Sequence, residues 1–139
     1  MTEKPDMARL MQGVIPYLAI DGAEKAVAFY AKAFGAIQHG DAVKDDTGTV
    51  MNVGIEINGG MVMLMDLMPG FGPDGMATTS QGTTMQLVTN DGDMWWNRAV
   101  AAGCEVTQPF KLEFWGDKYG RLRDPFGLAW AINEPGTGK

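Results

Sequence analysis

The sequence contains very few of the side chains that most often perform catalysis. Its 139 residues include one cysteine, Cys104, one histidine, His39, and one serine, Ser80. These counts exclude an internal disulfide and a Cys/His zinc site. A Ser-His-Asp triad would need the only serine and the only histidine, and no Gly-x-Ser-x-Gly elbow surrounds Ser80. We therefore expect Cys104 to be a buried structural thiol and His39 to be a solvated strand or loop residue.

Positive charge and long hydrophobic runs are also scarce. The chain has 11 Lys and Arg against 17 Asp and Glu, a formal charge of −6, which disfavours binding to nucleic acid or to an anionic membrane surface. The longest unbroken apolar run, residues 61–65, is far shorter than the roughly 20 residues of a membrane-spanning helix. The first residues contain no apolar signal core. We expect no nucleic-acid or membrane partner and a cytoplasmic location.

A dinucleotide-binding loop is excluded despite one formal match. Residues 70–75 read Gly-Phe-Gly-Pro-Asp-Gly, which fits the pattern Gly-x-Gly-x-x-Gly. That motif works by leading into a helix whose first amides hold a pyrophosphate, and the Pro, Gly and Thr residues that follow predict no helix. We interpret residues 67–82 as a Gly/Pro-rich connector without periodicity, which is expected to be a mobile loop.

Hydrophobic periodicity on both sides of this connector predicts the same order of elements. Before it we expect a strand, a helix that ends at Gly35, and three strands, the last two joined by an Asn58-Gly59 hairpin turn. The corresponding ranges are 14–20, 23–34, 37–43, 50–57 and 61–66. After it the ranges are 84–89, a helix through 94–102 that ends at Gly103, and strands at 104–108, 110–115, 119–123 and 128–133. Asp21 is expected to cap the first helix, and Asp91 or Asp93 the second.

The chain is therefore predicted to be a tandem repeat of one β-α-β-β-β unit. We expect a single domain over residues 1–139, with module one at about 13–66 and module two at about 83–134. Its fold class would be α+β, with the two modules forming a curled, open mixed sheet that has helices outside. The mouth of such a sheet is a natural small-molecule site.

The most informative segment is 114–127, which reads Phe-Trp-Gly-Asp-Lys-Tyr-Gly-Arg-Leu-Arg-Asp-Pro-Phe-Gly. Together with Pro-Tyr-Leu at 16–18 and Phe-Tyr-Ala-Lys-Ala-Phe-Gly at 29–35, it resembles the PhnB-like branch of the vicinal oxygen chelate superfamily, which includes glyoxalases, bleomycin resistance proteins and dihydroxybiphenyl dioxygenases. The resemblance spans residues 13–134. It implies paired β-α-β-β-β modules in a homodimer whose sites lie in the concave sheets, sometimes at subunit contacts.

The resemblance also locates the metal ligands of metal-dependent members, one on each of four concave strands. Flanking motifs place these positions at Ile15, Leu64, Thr84 and Ala131; a shift of one residue on the return strand of the hairpin would bring in Met63 or Met65 instead. Ile, Leu and Ala lack a donor atom, and Thr is a poor neutral ligand. We therefore expect no metal and no cofactor. Leu128 also replaces the histidine with which many relatives close their Asp-Pro-Phe-Gly motif.

Strand alternation predicts which side chains line the cavity. Two carboxylates, Glu56 and Asp66, would face it together and are weak candidates for a catalytic acid/base pair. Aromatic and polar residues are expected to contact a ligand. The predicted ligand-binding residues are Tyr17, Glu56, Thr84, Gln86, Trp115, Tyr119 and Arg121.

Three functions remain open at this point. The favoured hypothesis is a metal-independent protein that binds a small organic molecule, by sequestration or as an accessory binder. The alternative is a lyase or isomerase of the same fold that acts on a small carbonyl compound, with or without a divalent metal. The third is a purely structural interaction module. Glyoxalase I or extradiol dioxygenase activity is not expected, because both chemistries need a bound divalent cation.

Overall fold

The computed structural model describes residues 6–68 and 82–136. Two short β-sheets and two main helices make up most of this part of the chain. In order, the elements are α1 (Met7–Leu10), β1 (Tyr17–Ile20), α2 (Ala23–Phe34), β2 (Ile37–Lys44), β3 (Val50–Ile57), β4 (Gly60–Asp66), β5 (Thr84–Val88), α3 (Gly92–Ala102), β6 (Glu105–Leu112), β7 (Lys118–Arg123) and β8 (Ala129–Glu134). Most of the predicted connector, with Ser80 and the glycines of 70–75, lies outside the described residues.

Each half of the chain forms one four-stranded mixed sheet with the same topology. The strand orders are β1-β4-β3-β2 and β5-β8-β7-β6. In both sheets the first strand pairs in parallel with the fourth, and the other pairs are antiparallel. The hairpin between β3 and β4 turns at Asn58 and Gly59, whose φ angles of 51° and 80° are both positive, as a type I′ turn requires. The predicted α+β fold with tandem β-α-β-β-β order is confirmed.

Asp91 occupies the N-cap position of α3 as predicted and Gly22, not Asp21, that of α2, but neither helix is capped by these residues' side chains; the capping side chains come from the last strand of each module. Asp66, at the end of β4, accepts a hydrogen bond from the Ala23 amide at 2.8 Å. Glu134, at the end of β8, accepts one from the Gly92 amide at 2.8 Å. Each carboxylate meets the positive end of a helix dipole, so each repeat uses the same device.

One hydrophobic core is shared by the two halves. The rings of Tyr30 and Phe34, from α2, contact Trp130 on β8 at centroid distances of 5.4 and 4.3 Å. Ile20 and Ile55 of the first sheet and Leu122 and Ile132 of the second belong to the same buried cluster. The sides of both sheets that carry the helices therefore face a common interior. We call the opposite side of each sheet its open face.

Two strand predictions need correction. β1 begins at Tyr17 rather than at residue 14, since Pro16 has no N–H with which to pair. The predicted strands at 104–108 and 110–115 are one strand, β6, which continues through Pro109 with register shifts along its pairing with β7. β6 is an edge strand, where a proline is tolerated because its nitrogen need not donate to a neighbour.

Candidate functional site

Alternation along β5, β7 and β8 creates the open face of the second sheet. Leu87, Leu122 and Trp130 are buried in the core, so their sequence neighbours point the other way. Register pairs Thr84 with Ala129, Gln86 with Ala131, and Arg121 with Ala131. The residues on this face are Thr84, Gln86, Val88, Ala129, Ala131, Asn133, Tyr119, Arg121 and Arg123. The predicted parity of these strands is confirmed.

Arg121 is the centre of a hydrogen-bonded group on this face. Its Nη1 donates to the Tyr119 hydroxyl at 2.8 Å, and its Nη2 donates to Thr84 Oγ1 at 2.7 Å. These bonds link β7 to β5 across β8, where Arg121 pairs with Ala131 and Thr84 with Ala129, both of which have small side chains. The structure thus brings three of the predicted ligand-binding residues together, with Gln86 exposed beside them.

An aromatic wall adjoins the Arg121 group. Trp115 lies in the turn before β7. Its ring centroid is 5.7 Å from that of Tyr119, and the two ring planes make an angle of 66°. Trp115 is 39% exposed, so part of the indole remains available to a ligand. Phe114, the preceding residue, is almost fully exposed and contacts the Trp115 ring edge-to-face.

The two aspartates of the 114–127 motif are structural. Asp124 is buried and accepts hydrogen bonds from the Tyr30 hydroxyl, the Trp130 indole and two amides of its own turn. Asp117 is buried and accepts from the Asn133 side chain and the Gly136 amide. The two carboxylates therefore stabilise the turns of the motif, while its residues Tyr119 and Arg121 lie on the open face.

Glu56 lies on the open face of the first sheet, where it contacts the only histidine of the chain. Glu56 Oε1 is 2.9 Å from His39 Nε2, and the two side chains are 25% and 12% exposed. β2 pairs with β3 so that His39 lies opposite Gly54, and this register brings the two side chains together. Sequence reasoning missed this pair, because His39 was expected to be solvated. The sequence did contain a signal for this pair, because Glu56 lies two positions from Gly54, the cross-strand partner of His39.

The face assigned to β4 from the sequence is wrong by one residue. Leu64 pairs with Leu18 of β1 and Val53 of β3, all three in the core. The residues of β4 that share the open face with Glu56 and Gly54 are therefore Met61, Met63 and Met65. A Cβ added to Gly54 would lie 2.8 Å from Met61 Cε, so the absence of a side chain there lets the methionine fold across the sheet.

Asp66 consequently faces away from Glu56. Its two oxygens accept from the Ala23 and Val50 amides, both at 2.8 Å, on the side of the sheet that carries α2. The predicted cavity pair of Glu56 and Asp66 does not form, because the β4 register moves Asp66 to the helix side. Tyr17, the remaining predicted ligand contact, is exposed on the open face, and its hydroxyl donates to the Met51 carbonyl at 2.7 Å.

The four positions at which the resemblance locates a metal site do not fit a metal ion here. Met63 lies three residues before the helix-capping Asp66, as Ala131 lies three before Glu134, so Met63 replaces Leu64 in the set. The donor set is then Ile15, Met63, Thr84 and Ala131, which offers a thioether and a neutral hydroxyl where a divalent ion needs imidazole or carboxylate. Within residues 6–68 and 82–136, no three His, Cys, Asp or Glu side chains are grouped as a metal site would need.

Cys104 is buried, as expected from the sequence. Burial, together with the negative charge of Asp124, raises the pKa of its thiol to about 12. A thiol with so high a pKa is a poor nucleophile, so the described chain offers no cysteine chemistry at this position.

A groove of about 550 Å³ lies on the other side of the first sheet, between α2 and β2. Its lining includes Val27 and Ala42 and the ion-paired Glu24 and Lys44. None of the predicted site residues lines it. No helix in the described parts of the chain is long and apolar enough to cross a membrane.

Comparison with known proteins identifies the family. The model of the glyoxalase/bleomycin resistance protein/dioxygenase superfamily matches residues 11–132. The chain belongs to this superfamily. The uncharacterized protein Mb0911c of Mycobacterium bovis is 38% identical over 124 residues, which cover 86% of this chain and 81% of the relative.

Two solved structures share the fold. The Arabidopsis thaliana gene product At5g48480 matches with a TM-score of 0.66 and 27% identity, covering 88% of this chain and 98% of that one. The PhnB protein of Bacillus cereus matches with a TM-score of 0.63 and 20% identity, covering 88% and 99%. The resemblance to PhnB-like members of the superfamily is confirmed.

Proposed function

We propose that this protein binds a small organic molecule on its open faces without a metal ion. The observation that carries the proposal is the Arg121 group, with Tyr119, Thr84 and the adjoining Trp115. It combines polar groups with a partly exposed aromatic ring over a floor of alanines, which is the usual composition of a small-molecule site.

Metal independence follows from the donor set at Ile15, Met63, Thr84 and Ala131. A hard divalent cation prefers oxygen and imidazole ligands, and a site with one thioether and one neutral hydroxyl would bind it weakly. Glu56 and His39, the carboxylate and imidazole on the open face of the first sheet, are hydrogen-bonded to one another. We therefore infer that recognition rests on side chains alone.

We further propose that the complete site is built by two copies of the chain. Both sheets turn their helix-bearing sides to one core, so the two open faces of one chain lie outside that core and cannot enclose a cavity together. β1 and β5 are edge strands in the described topology, and edge strands readily pair with another chain. If β1 of one copy lies beside β5 of the other, the Glu56 face of one copy adjoins the Arg121 face of its partner.

One observation favours the enzymatic alternative, a lyase or isomerase that acts on a small carbonyl compound. A histidine that is hydrogen-bonded to a carboxylate, as His39 is to Glu56, is oriented to transfer a proton. In this alternative Glu56→Gln would abolish turnover while leaving ligand affinity within about twofold. Unchanged turnover in that variant would remove the pair from the reaction.

The first experiment measures binding of an uncharged aromatic probe, N-phenyl-1-naphthylamine, by fluorescence titration of EDTA-treated protein. We expect saturable binding whose affinity is unchanged by added Ni²⁺ or Zn²⁺. Gln86→Trp places an indole over Ala131 on the open face and should weaken binding by at least about tenfold. Gln38→Trp, an equal change on the helix side of β2, is the matched control and should have no effect. Binding that appears only with metal, or that Gln86→Trp leaves intact, would contradict the proposal.

A further inference from the structure

Among the described residues of one chain, no acid forms an ion pair or hydrogen bond with Arg121. Both hydrogen-bond partners, Tyr119 and Thr84, are neutral. The ion pairs of the described chain join other residues. Across the strand Arg121 faces Gln108 in the β6–β7 register, and Ala131 in the β7–β8 register. Neither of these cross-strand neighbours carries a counter-charge.

Arg123 provides a comparison on the same strand and face. It is exposed, and the register places Glu105 directly opposite it on β6. Arg121 is half-buried, so it has lost part of its hydration without gaining a carboxylate. Removing a cation from water without pairing it is costly.

The guanidinium group is also held in a fixed orientation. Two of its five N–H groups are used by Tyr119 and Thr84, which anchor Nη1 and Nη2 from two different strands. The other N–H groups make no hydrogen bond within the described structure. A guanidinium with free N–H groups binds the oxygens of a carboxylate, sulfonate or phosphonate in a planar fork.

We propose that the ligand of this protein is an organic anion, whose acidic group binds Arg121 and whose planar apolar part packs on Trp115. This inference rests on the proposed binding function and adds the chemical class of the ligand. The indole of Trp115 is 39% exposed, and Tyr119 contacts both the indole ring and the guanidinium. The cation and the aromatic surface are thus joined through one residue, within reach of a single small molecule.

The test compares two probes with the same aromatic frame, 8-anilinonaphthalene-1-sulfonate and the uncharged N-phenyl-1-naphthylamine. Each is titrated against the wild type, Arg121→Gln and the control Arg123→Gln. We expect Arg121→Gln to weaken the sulfonate probe by about tenfold to a hundredfold, since a hydrogen bond to a charged group contributes that much. Its affinity for the uncharged probe should stay within twofold, and Arg123→Gln should change neither affinity by more.

Each other result overturns a stated claim. Equal loss of both probes in Arg121→Gln, or an unchanged sulfonate affinity, refutes the anion inference and leaves the binding function standing. If the wild type binds the uncharged probe but not the sulfonate probe, the anion inference is likewise refuted and the binding function stands. Failure of the wild type to bind either probe refutes the binding function and the anion inference together. Arg121→Lys, which keeps the charge without the planar fork, should retain part of the sulfonate affinity and shows that loss in Arg121→Gln is not a folding defect.

Discussion

The hydroxyl of Tyr30 donates a hydrogen bond to Asp124 Oδ2 at 2.5 Å, which joins the helix of the first repeat to the turn before the last strand of the second. Tyr30 is fully buried, and Asp124 has no cation beside it among the described hydrogen bonds and ion pairs. Its charge is stabilised by hydroxyl, indole and amide donors instead. This contact helps to hold the two halves against one shared core, so that both open faces lie outside it.

Tyr30→Phe is expected to destabilise the fold. It removes one donor from a buried carboxylate, and such a loss costs about 1–3 kcal/mol. Urea unfolding followed by circular dichroism measures the change. Tyr119→Phe is the matched control, because its hydroxyl lies on the half-buried open face and its removal should cost less than about 1 kcal/mol. An equal loss in the two variants would show that the Tyr30 contact has no special role.

Alkaline pH is expected to lower the free energy of unfolding. Burial, with the Asp124 charge, raises the pKa of Tyr30 above its usual 10.0 and the pKa of Cys104 from 9.0 to about 12. Both groups are neutral when protonated, so the folded state holds their protons more tightly than the unfolded chain. Their contribution is complete below pH about 9 and is lost progressively as the pH rises above it. Urea titrations at pH about 8 and about 11 should differ less in Tyr30→Phe/Cys104→Ala; an identical pH response would contradict this account.

Substitution of Asp66 should destabilise the fold, whereas substitution of Glu56 should leave its stability almost unchanged. Asp66→Ala removes the acceptor of two amides at the start of α2 and β3 and should cost about 1–2 kcal/mol, the usual effect of losing a helix cap. Glu134→Ala, its counterpart in the second repeat, should cost a similar amount. Glu56→Gln is expected to change stability by less than about 0.5 kcal/mol. Thermal unfolding distinguishes the three variants, and a stable Asp66→Ala protein would reopen a ligand-binding role for that carboxylate.

Trp115→Ala is expected to weaken binding of N-phenyl-1-naphthylamine by about tenfold, because an aromatic contact contributes on the order of 1 kcal/mol beyond its buried area. Phe114→Ala removes the neighbouring ring, which extends into solvent beyond the turn, and should have a smaller effect. Fluorescence titration of both variants makes the comparison. The binding surface is misplaced if Phe114→Ala weakens binding as much as Trp115→Ala does.

The parts of the site that the sequence predicted correctly are those where polar and apolar residues alternate. On β7, Tyr119 and Arg121 alternate with Gly120 and Leu122, so the face of each residue could be read directly. β4 contains the unbroken run at 61–65, in which every position is apolar and either face could be the buried one. The misassignment of Asp66 follows from that run.

Contacts between residues far apart in the sequence also limited what could be predicted. The helices and their ends were predictable because Gly35 and Gly103 adopt positive φ angles just after each helix. The helix caps were not, since Asp66 and Glu134 reach them from strands 42 or more residues away along the chain. The His39–Glu56 contact depends on the β2–β3 register, which contains a shift that no local pattern marks.

Native mass spectrometry of the purified protein tests the central claim most directly, since one spectrum reports the assembly state and any bound metal or small molecule. The account predicts a dimer that carries no divalent metal and gains an organic anion such as 8-anilinonaphthalene-1-sulfonate in the absence of metal. A stoichiometric divalent metal that is retained through buffer exchange, and without which no small molecule binds, would contradict it.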